Sequence, residues 1–288
     1  MVDDASQPPL ATLLRPKTQL TIIRNESNSG FARSCNVGAR AARGRLLLLL
    51  NNDTEVLSGW WEPLFEAIEH HAEYGIVAPK LIFADGTIQH CGKVWGDTTA
   101  VHAQPQHIYY QFPKNHPAVN TSREYQLVTG ACLLVRTTEF LDWGGFDEQY
   151  ENGWEDDDLC YQCRYHGKHV WYCAESEILH FQNQTLNEQM DALKSRLPEL
   201  EKLKEIDRTL MQGTATNDEI RLARDVQGIY LQMEKELERF QRKFDKNKSH
   251  FMSKWGHAIE RDDFRYCQLD GVPLYMALPE LYRQNTAA

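Results

Sequence analysis

Five consecutive leucines, Leu46–Leu50, run directly into Asn51-Asn52-Asp53 and constrain this chain more than any other feature. A continuous apolar run of that length, entered through Gly44 and left through polar residues, predicts a central strand of an α/β sheet, buried on both faces. Open α/β sheets gather ligand chemistry at the carboxyl ends of their strands. Asp53 therefore falls where a metal or phosphate site is expected. Asn and Asp also commonly cap a following helix, and one is predicted over Trp60–Glu73. On these residues alone both readings of Asp53 stand.

The chain has 288 residues, enough to bury one good core, or a core plus a smaller lobe. With 42% hydrophobic and 25% charged residues it reads as a soluble globular protein. Acidic residues outnumber basic ones 41 to 31, a net charge of −10, which argues against a nucleic-acid groove. An anionic ligand would need a cation to bridge it to such a surface. No segment reaches the ~18–20 apolar residues of a membrane span. The opening Met1-Val2-Asp3-Asp4 lacks signal-peptide character. Seven scattered cysteines point to a reducing cytoplasm rather than a disulfide framework. Cys160-x-x-Cys163 has no second pair at zinc-ribbon spacing and reads as packed helical thiols.

Strand and helix alternate through the first part. Gln19–Arg24 is rich in β-branched residues, and Ala32, Cys35, Ala39 and Ala42 share one face of a helix over Phe31–Ala42. The leucine strand and the Trp60–Glu73 helix come next, then a strand over Gly75–Phe83 closed by a turn at Asp85-Gly86. Residues 92–123 show no period, and their aromatic content predicts an ordered active-site flap. Gln126–Arg136 reads as a buried strand interrupted by Gly130, where a ligand or backbone could approach closely. Two short strands are predicted at Val170–Cys173 and Glu177–His180. Beyond Asn183, apolar residues recur at steps of three and four from Met190 to Leu210, and again from Ile220 to Phe244. A polar break lies between the two series, with Asn217 or Asp218 as N-cap, which predicts an αα-hairpin.

Trp154-Glu155-Asp156-Asp157-Asp158 is the second chemical cluster. At a helix N-terminus the macrodipole offsets part of the mutual repulsion, by ~0.3–1 kcal/mol per charge, so the cluster can be purely structural. Trp154 and Leu159 nevertheless hold some of these acids against apolar surface, where a carboxyl's proton affinity rises toward what a general base needs. Gly144-Gly145 and Gly153 supply turns that could present the segment in a cleft. His180 ends a strand, where a histidine is either a satisfied polar residue or a metal ligand. Together, Asp53, the acids and His180 suggest a divalent cation with a base beside it.

Several strings at once resemble family 2 glycosyltransferases of the GT-A fold: Val2-Asp3-Asp4-Ala5-Ser6, Asn28-Ser29-Gly30-Phe31 through Gly38, Leu50-Asn51-Asn52-Asp53-Thr54, Gly130-Ala131-Cys132, Gly144-Gly145-Phe146-Asp147-Glu148, Trp154 to Cys160, and the closing His180. Order and spacing fit over residues 1–182. Asp85-Gly86-Thr87-Ile88-Gln89-His90-Cys91-Gly92 is similar to the bacterial rhamnosyltransferase-like enzymes of surface-polysaccharide synthesis. The resemblance implies a three-layer, Rossmann-like mixed sheet. It gives Asp53 to the metal, with Asn52 near the ribose and His180 as a further metal ligand. Asn51 stands where many relatives have Asp. The nucleotide base falls to Asp3, and the nucleotide-sugar donor to Gly30 and Gly130. Asp156 corresponds to the base that deprotonates the acceptor hydroxyl, with Glu155 contacting the acceptor. The implied cofactor is Mg²⁺ or Mn²⁺, and the implied acceptor is a glycan or lipid-linked acceptor.

Two features lie outside the family pattern. Members begin with a strand and a Pro-x-Tyr/Phe-Asn loop, whereas here Met1 falls almost on the Asp-Asp-x-Ser motif. The chain is thus expected to lack that first strand and to be a fragment, or to receive the strand from elsewhere. The hairpin over residues 183–246 is the other addition, expected to pack on the catalytic domain or on a partner protein. The predicted organisation is a glycosyltransferase domain over residues 1–182 and a helical extension over residues 183–288. The expected activity is inverting, metal-dependent sugar transfer, in the cytoplasm or peripheral at the inner membrane. The alternative is a catalytically silent binding or scaffold module. A nucleotidyltransferase would need a Gly-rich basic loop near the N-terminus, and none is present.

Overall fold

The structure, a computed structural model, describes all residues except 16, 18, 97–102, 182–215 and 280–288. The chain forms two compact units, residues 1–181 with 247–288, and residues 182–246. The C-terminal segment thus belongs with the first unit, where the sequence pattern assigned it to the helical extension. In the second unit the first apolar series, Met190 to Leu210, lies outside the described residues. The second series is helical, within α6 (Asn217–Trp255). Among the described residues no helix is long and apolar enough to cross a membrane.

The first unit is a mixed α/β structure with helical C-terminal additions, the class expected. It opens with β1 (Val2–Asp3), α1 (Leu10–Leu13), β2 (Ile23–Arg24) and α2 (Phe31–Ala41). Then come β3 (Leu46–Leu50), β4 (Thr54–Val56), α3 (Trp61–His70), β5 (Tyr74–Ile82), β6 (Ile88–His90), β7 (Lys93–Trp95), β8 (Pro105–His107) and β9 (Arg123–Tyr125). β10 (Cys132–Arg136), α4 (Thr137–Asp142), α5 (Glu155–Tyr165) and β11 (His169–His180) complete the part before the second unit, and α7 (Asp263–Asp270) and α8 (Leu274–Ala277) follow it. The main sheet runs β3-β10-β5-β11-β4, with β6 added to β5 and β9 to β11. β5 and β11 are parallel, and the other pairs in it are antiparallel. β1 and β2 form a separate parallel pair, as β7 and β8 form an antiparallel one.

The leucine strand is not central. β3 lies at the end of the sheet path and pairs only with β10 among the described residues. Leu47 and Leu49 are buried, Leu46 and Leu48 half-buried, and Leu50 is 43% exposed. Leucine supplies no alternation of its own, so its run is equally apolar whether one face or both are covered. Burial on both faces belongs instead to β5 and β10, where every residue of Gly75–Ile82 and Cys132–Val135 is buried. α3 packs Leu64 and Ile68 against Val77, Leu134 and Cys173. The two predicted strands near His180 are one strand, β11, with an irregular register between Cys173 and Glu177.

The described residues of 92–123 contribute to a second hydrophobic core. Val94, Ile108, Tyr109, Val119 and Tyr125 pack with Tyr172 and with Tyr266, Cys267 and Leu278 of the C-terminal segment. Arg123 holds Asp270 through both carboxylate oxygens, at 2.9 and 2.8 Å. The last turns of α6 close the other side. Phe251 is fully buried among Trp95, Trp154 and Tyr161, and Trp255 lies against Tyr161. Truncating Phe251 to alanine should cost ~3–5 kcal/mol, the range for deleting a buried aromatic. Urea unfolding followed by tryptophan fluorescence would read it. A loss under 1 kcal/mol would mean that residues 247–255 do not belong to the folded unit.

Candidate active site

The register of the sheet brings the polar residues together. Leu50 pairs with Cys132, and the Asn51 amide donates to the Ala131 carbonyl at 2.9 Å, so the exit of β3 meets the Gly130 turn. β4 pairs with the end of β11, Thr54 opposite His180, which places Asp53 beside that histidine. A cleft of about 420 Å³ opens here. Asp4, Gly30, Gly130, Glu155, Asp156 and His180 are among its lining residues.

Backbone twisted into left-handed geometry presents the acids. Asn152, Gly153 and Trp154 have φ of 54°, 122° and 76° in succession, after which α5 begins at Glu155. A tryptophan there costs on the order of 1 kcal/mol, which burial of its ring against Trp95 and Phe251 can offset. All four acids lie in the first turn of α5, where the helix dipole favours negative charge.

Each acid has its own partners. Glu155 accepts from the Gly153 amide. Asp156 accepts from the Gly130 amide at 2.8 Å and from the Lys93 ammonium at 3.1 Å. Asp157 accepts from the same ammonium at 2.6 Å. Asp158 accepts from Tyr150 Oη at 3.1 Å and Trp255 Nε1 at 2.7 Å, and pairs with Lys254 at 2.6 Å. Gly130 packs tightly on α5: a Cβ there would stand 3.0 Å from the Asp156 Cβ, so Asp156 would have to give way.

One buried ammonium faces two aspartates with a third acid next to them, and the protons distribute accordingly. Burial favours the neutral form of Asp156, but Lys93 and the Gly130 amide outweigh it and hold the group below its usual range. Burial pushes Glu155 up to about 7, reinforced by the Asp156 charge. Burial likewise pushes Asp157 up to about 7 despite its contact with Lys93. The raised proton affinity expected of a base in this cluster therefore falls on Glu155 and Asp157, while Asp156 is ionised.

His180 lines the same cleft, and its Nε2 approaches Asp53 Oδ1 to 3.2 Å. Asp53 Oδ1 is buried and makes no hydrogen bond. Burial lowers the proton affinity of His180, and Asp53 opposes that. Asn52 is exposed and outside the cleft lining. Asp3 is buried away from it, bonded by the Ser6 and Leu10 amides at 2.9 Å each and by Arg24. Its neighbour Asp4 lines the cleft and accepts from the Ser29 and Gly30 amides at 2.9 Å each. Burial would raise Asp4, but these bonds and that of Asn25 hold it at about 2. Of the residues named from sequence, Gly30, Gly130, Glu155, Asp156 and His180 line one cleft, with Asp53 beside it. Asp4 and Lys93 were missed. Lys93 left one signal, a lone cation in the apolar string Gly92-Lys93-Val94-Trp95.

Residues 1–125 match the family model described as Glycosyl transferase family 2. The O-antigen biosynthesis protein RfbC of Myxococcus xanthus is 33% identical over 153 residues, covering 51% of this chain and 12% of that protein. The pre-mycofactocin glycosyltransferase of Mycobacterium tuberculosis is 23% identical over 184 residues, covering 62% of this chain and 36% of that protein. A solved structure of S. aureus TarS 1-349 is similar at 17% identity and a TM-score of 0.42, over 62% of this chain and 49% of that one. The mannosyltransferase PcManGT from Pyrobaculum calidifontis, solved with GDP-Man and Mn²⁺, is similar at 14% identity and a TM-score of 0.41, over 64% and 47%. Residues 1–125 thus resemble family 2 glycosyltransferases. It spans well under half the length of the curated relatives it matches.

The raised carboxyls make a stability prediction. Glu155 and Asp157 titrate near 4 in an unfolded chain and at about 7 when folded. Between those values the folded protein binds more protons, so their contribution falls as pH rises, by up to ~1.4 kcal/mol per pH unit for each proton. Other groups titrate in the same window, so the readout is a difference. Tm measured from pH 4 to 8 should fall less steeply in Glu155→Gln than in the wild type. Parallel curves would show that Glu155 titrates normally.

Proposed function

We propose that this domain transfers a sugar, with inversion, from a nucleotide-diphosphate-sugar to a hydroxyl of a glycan or lipid-linked acceptor, with Asp156 as general base. One observation carries the reading: Asp156 faces the cleft as an ionised carboxylate, fixed by the Gly130 amide and Lys93. The acceptor oxygen bonds to the anomeric carbon as the bond from that carbon to the diphosphate oxygen breaks. The electron pair leaves with the diphosphate, and the acceptor proton passes to Asp156. Lys93 keeps Asp156 ionised beforehand and stays paired with Asp157 afterwards. Glu155, protonated below about pH 7, donates a hydrogen bond to the acceptor. Gly30 and Gly130 line the cleft that would hold the donor, and Asp4, rather than Asp3, offers the nucleotide a carboxylate. The Myxococcus relative is named for O-antigen biosynthesis, which supports a surface glycan as product.

Asp53 and His180 fit Mg²⁺ or Mn²⁺. Asp53 offers a buried oxygen without a hydrogen-bond partner, and an imidazole nitrogen stands beside it. Among the described residues no third His, Cys, Asp or Glu joins them. Bound there, the cation would offset charge on the departing diphosphate.

Two measurements test the assignment. Asp156→Asn should lower turnover ~10²–10⁴-fold, the range for removing a general base, while calorimetry shows donor binding nearly intact. Near-normal turnover would place the base elsewhere. In the wild type, kcat/KM should fall as pH rises through about 7, where Glu155 loses its proton, and Glu155→Gln should remove that limb. A rate that instead rises through pH 7 would make Glu155 the base.

A further inference from the structure

We infer that Gln89 is the positioning residue that makes His180 a metal ligand, by fixing which imidazole nitrogen carries the proton. The inference rests on the cation site proposed above. Gln89 lies on β6, nearly fully buried, and its side-chain amide grips His180 at two points. Its Nε2 donates to the His180 main-chain carbonyl at 3.1 Å. A carbonyl oxygen only accepts, so the orientation of the amide is set, with Oε1 on its other side. Oε1 meets His180 Nδ1 within hydrogen-bond distance. An amide oxygen cannot donate, so Nδ1 must carry the hydrogen.

The neutral ring then keeps its lone pair on Nε2, the nitrogen that stands 3.2 Å from Asp53 Oδ1. Asp53 Oδ1 is itself buried and accepts no hydrogen bond. In the neutral ring, two acceptor atoms then face each other. That arrangement is repulsive by itself and attractive around a cation. A metal-bound histidine commonly has its second nitrogen held in this way, and the holding group sets both ring orientation and tautomer. Gln89 also fixes the strand end that carries the ring, through the carbonyl of the same residue.

The test uses the whole chain. Long-range ¹H–¹⁵N spectra of protein labelled with ¹⁵N-histidine, with His180 assigned by its loss in His180→Asn, should show Nδ1 protonated and Nε2 bare before metal is added. A proton on Nε2, in the other tautomer or in an imidazolium, overturns the inference without any variant of Gln89. Mn²⁺ affinity is then read by electron paramagnetic resonance in the presence of UDP. Gln89→Leu should weaken it ~10–100-fold, the usual effect of losing such a partner. Gln89→Glu still accepts from Nδ1 but no longer donates to the carbonyl, so it should melt lower yet bind Mn²⁺ nearly as the wild type does. Equal Mn²⁺ affinity in wild type and Gln89→Leu overturns the inference alone. No Mn²⁺ binding in the wild type, with Asp53→Ala no different, overturns the cation site and the inference with it.

Discussion

Four carboxyls in a row at the start of α5, Glu155–Asp158, cannot be buried without an arrangement for their charge, and much of the first unit is that arrangement. An uncompensated buried carboxylate costs several kcal/mol, so each must be paired, hydrogen-bonded or protonated. Lys93 reaches in from β7 to serve Asp156 and Asp157 together. The Gly130 turn lends its amide to Asp156. Asp158 is served from the C-terminal segment, by Lys254 and the Trp255 indole. This last pair gives a physical reason why residues 247–288 join the unit that ends at Phe181. Glu155, with only a backbone donor, keeps its proton to higher pH than its neighbours' ion pairs would predict.

The same C-terminal segment stiffens the approach to the cleft. Asn247 accepts from the Glu151 amide at 3.1 Å and donates to the Gly153 carbonyl at 2.9 Å. His250 and Lys254 hold Asp147 at 2.8 and 2.9 Å. The loop from Asp147 to Trp154 is thereby fastened at both ends, and its left-handed residues are held by neighbours more than by their own preferences. The Asp53–His180 pair depends on strand register instead. Asp53 and His180 meet because β4 is antiparallel to β11, and a shift of one residue would turn one of them to the other face.

Much of this was legible in the sequence where spacing alone decides. The acid run names its helix start, Gly130 marks a close approach, Asp53 follows the exit of the leucine strand, and His180 ends its strand. Where packing decides, the reading from sequence departed from the fold. Homopolymeric leucine carries no alternation, so it could not say that β3 lies at the end of its sheet. The aromatic stretch over residues 92–123 did not announce its core packing, because its partners, Tyr266, Cys267 and Leu278, are more than a hundred residues away in the chain. Asp3 and Asp4 are adjacent and chemically identical, and only the surrounding amides and Arg24 separate the buried one from the one in the cleft.

The sequence by itself determined the chemical inventory: the strand ends, the turns and the acids, whose meaning depends on residues a few positions apart. The tertiary structure decided which of those acids is ionised. Lys93 is more than sixty residues from Asp156, and its ammonium lowers that proton affinity while burial raises those of Glu155 and Asp157. Proton affinity depends on what lies within a few ångströms and on how much water is excluded. Neither quantity exists along the chain until β7, α5 and the Gly130 turn have packed together.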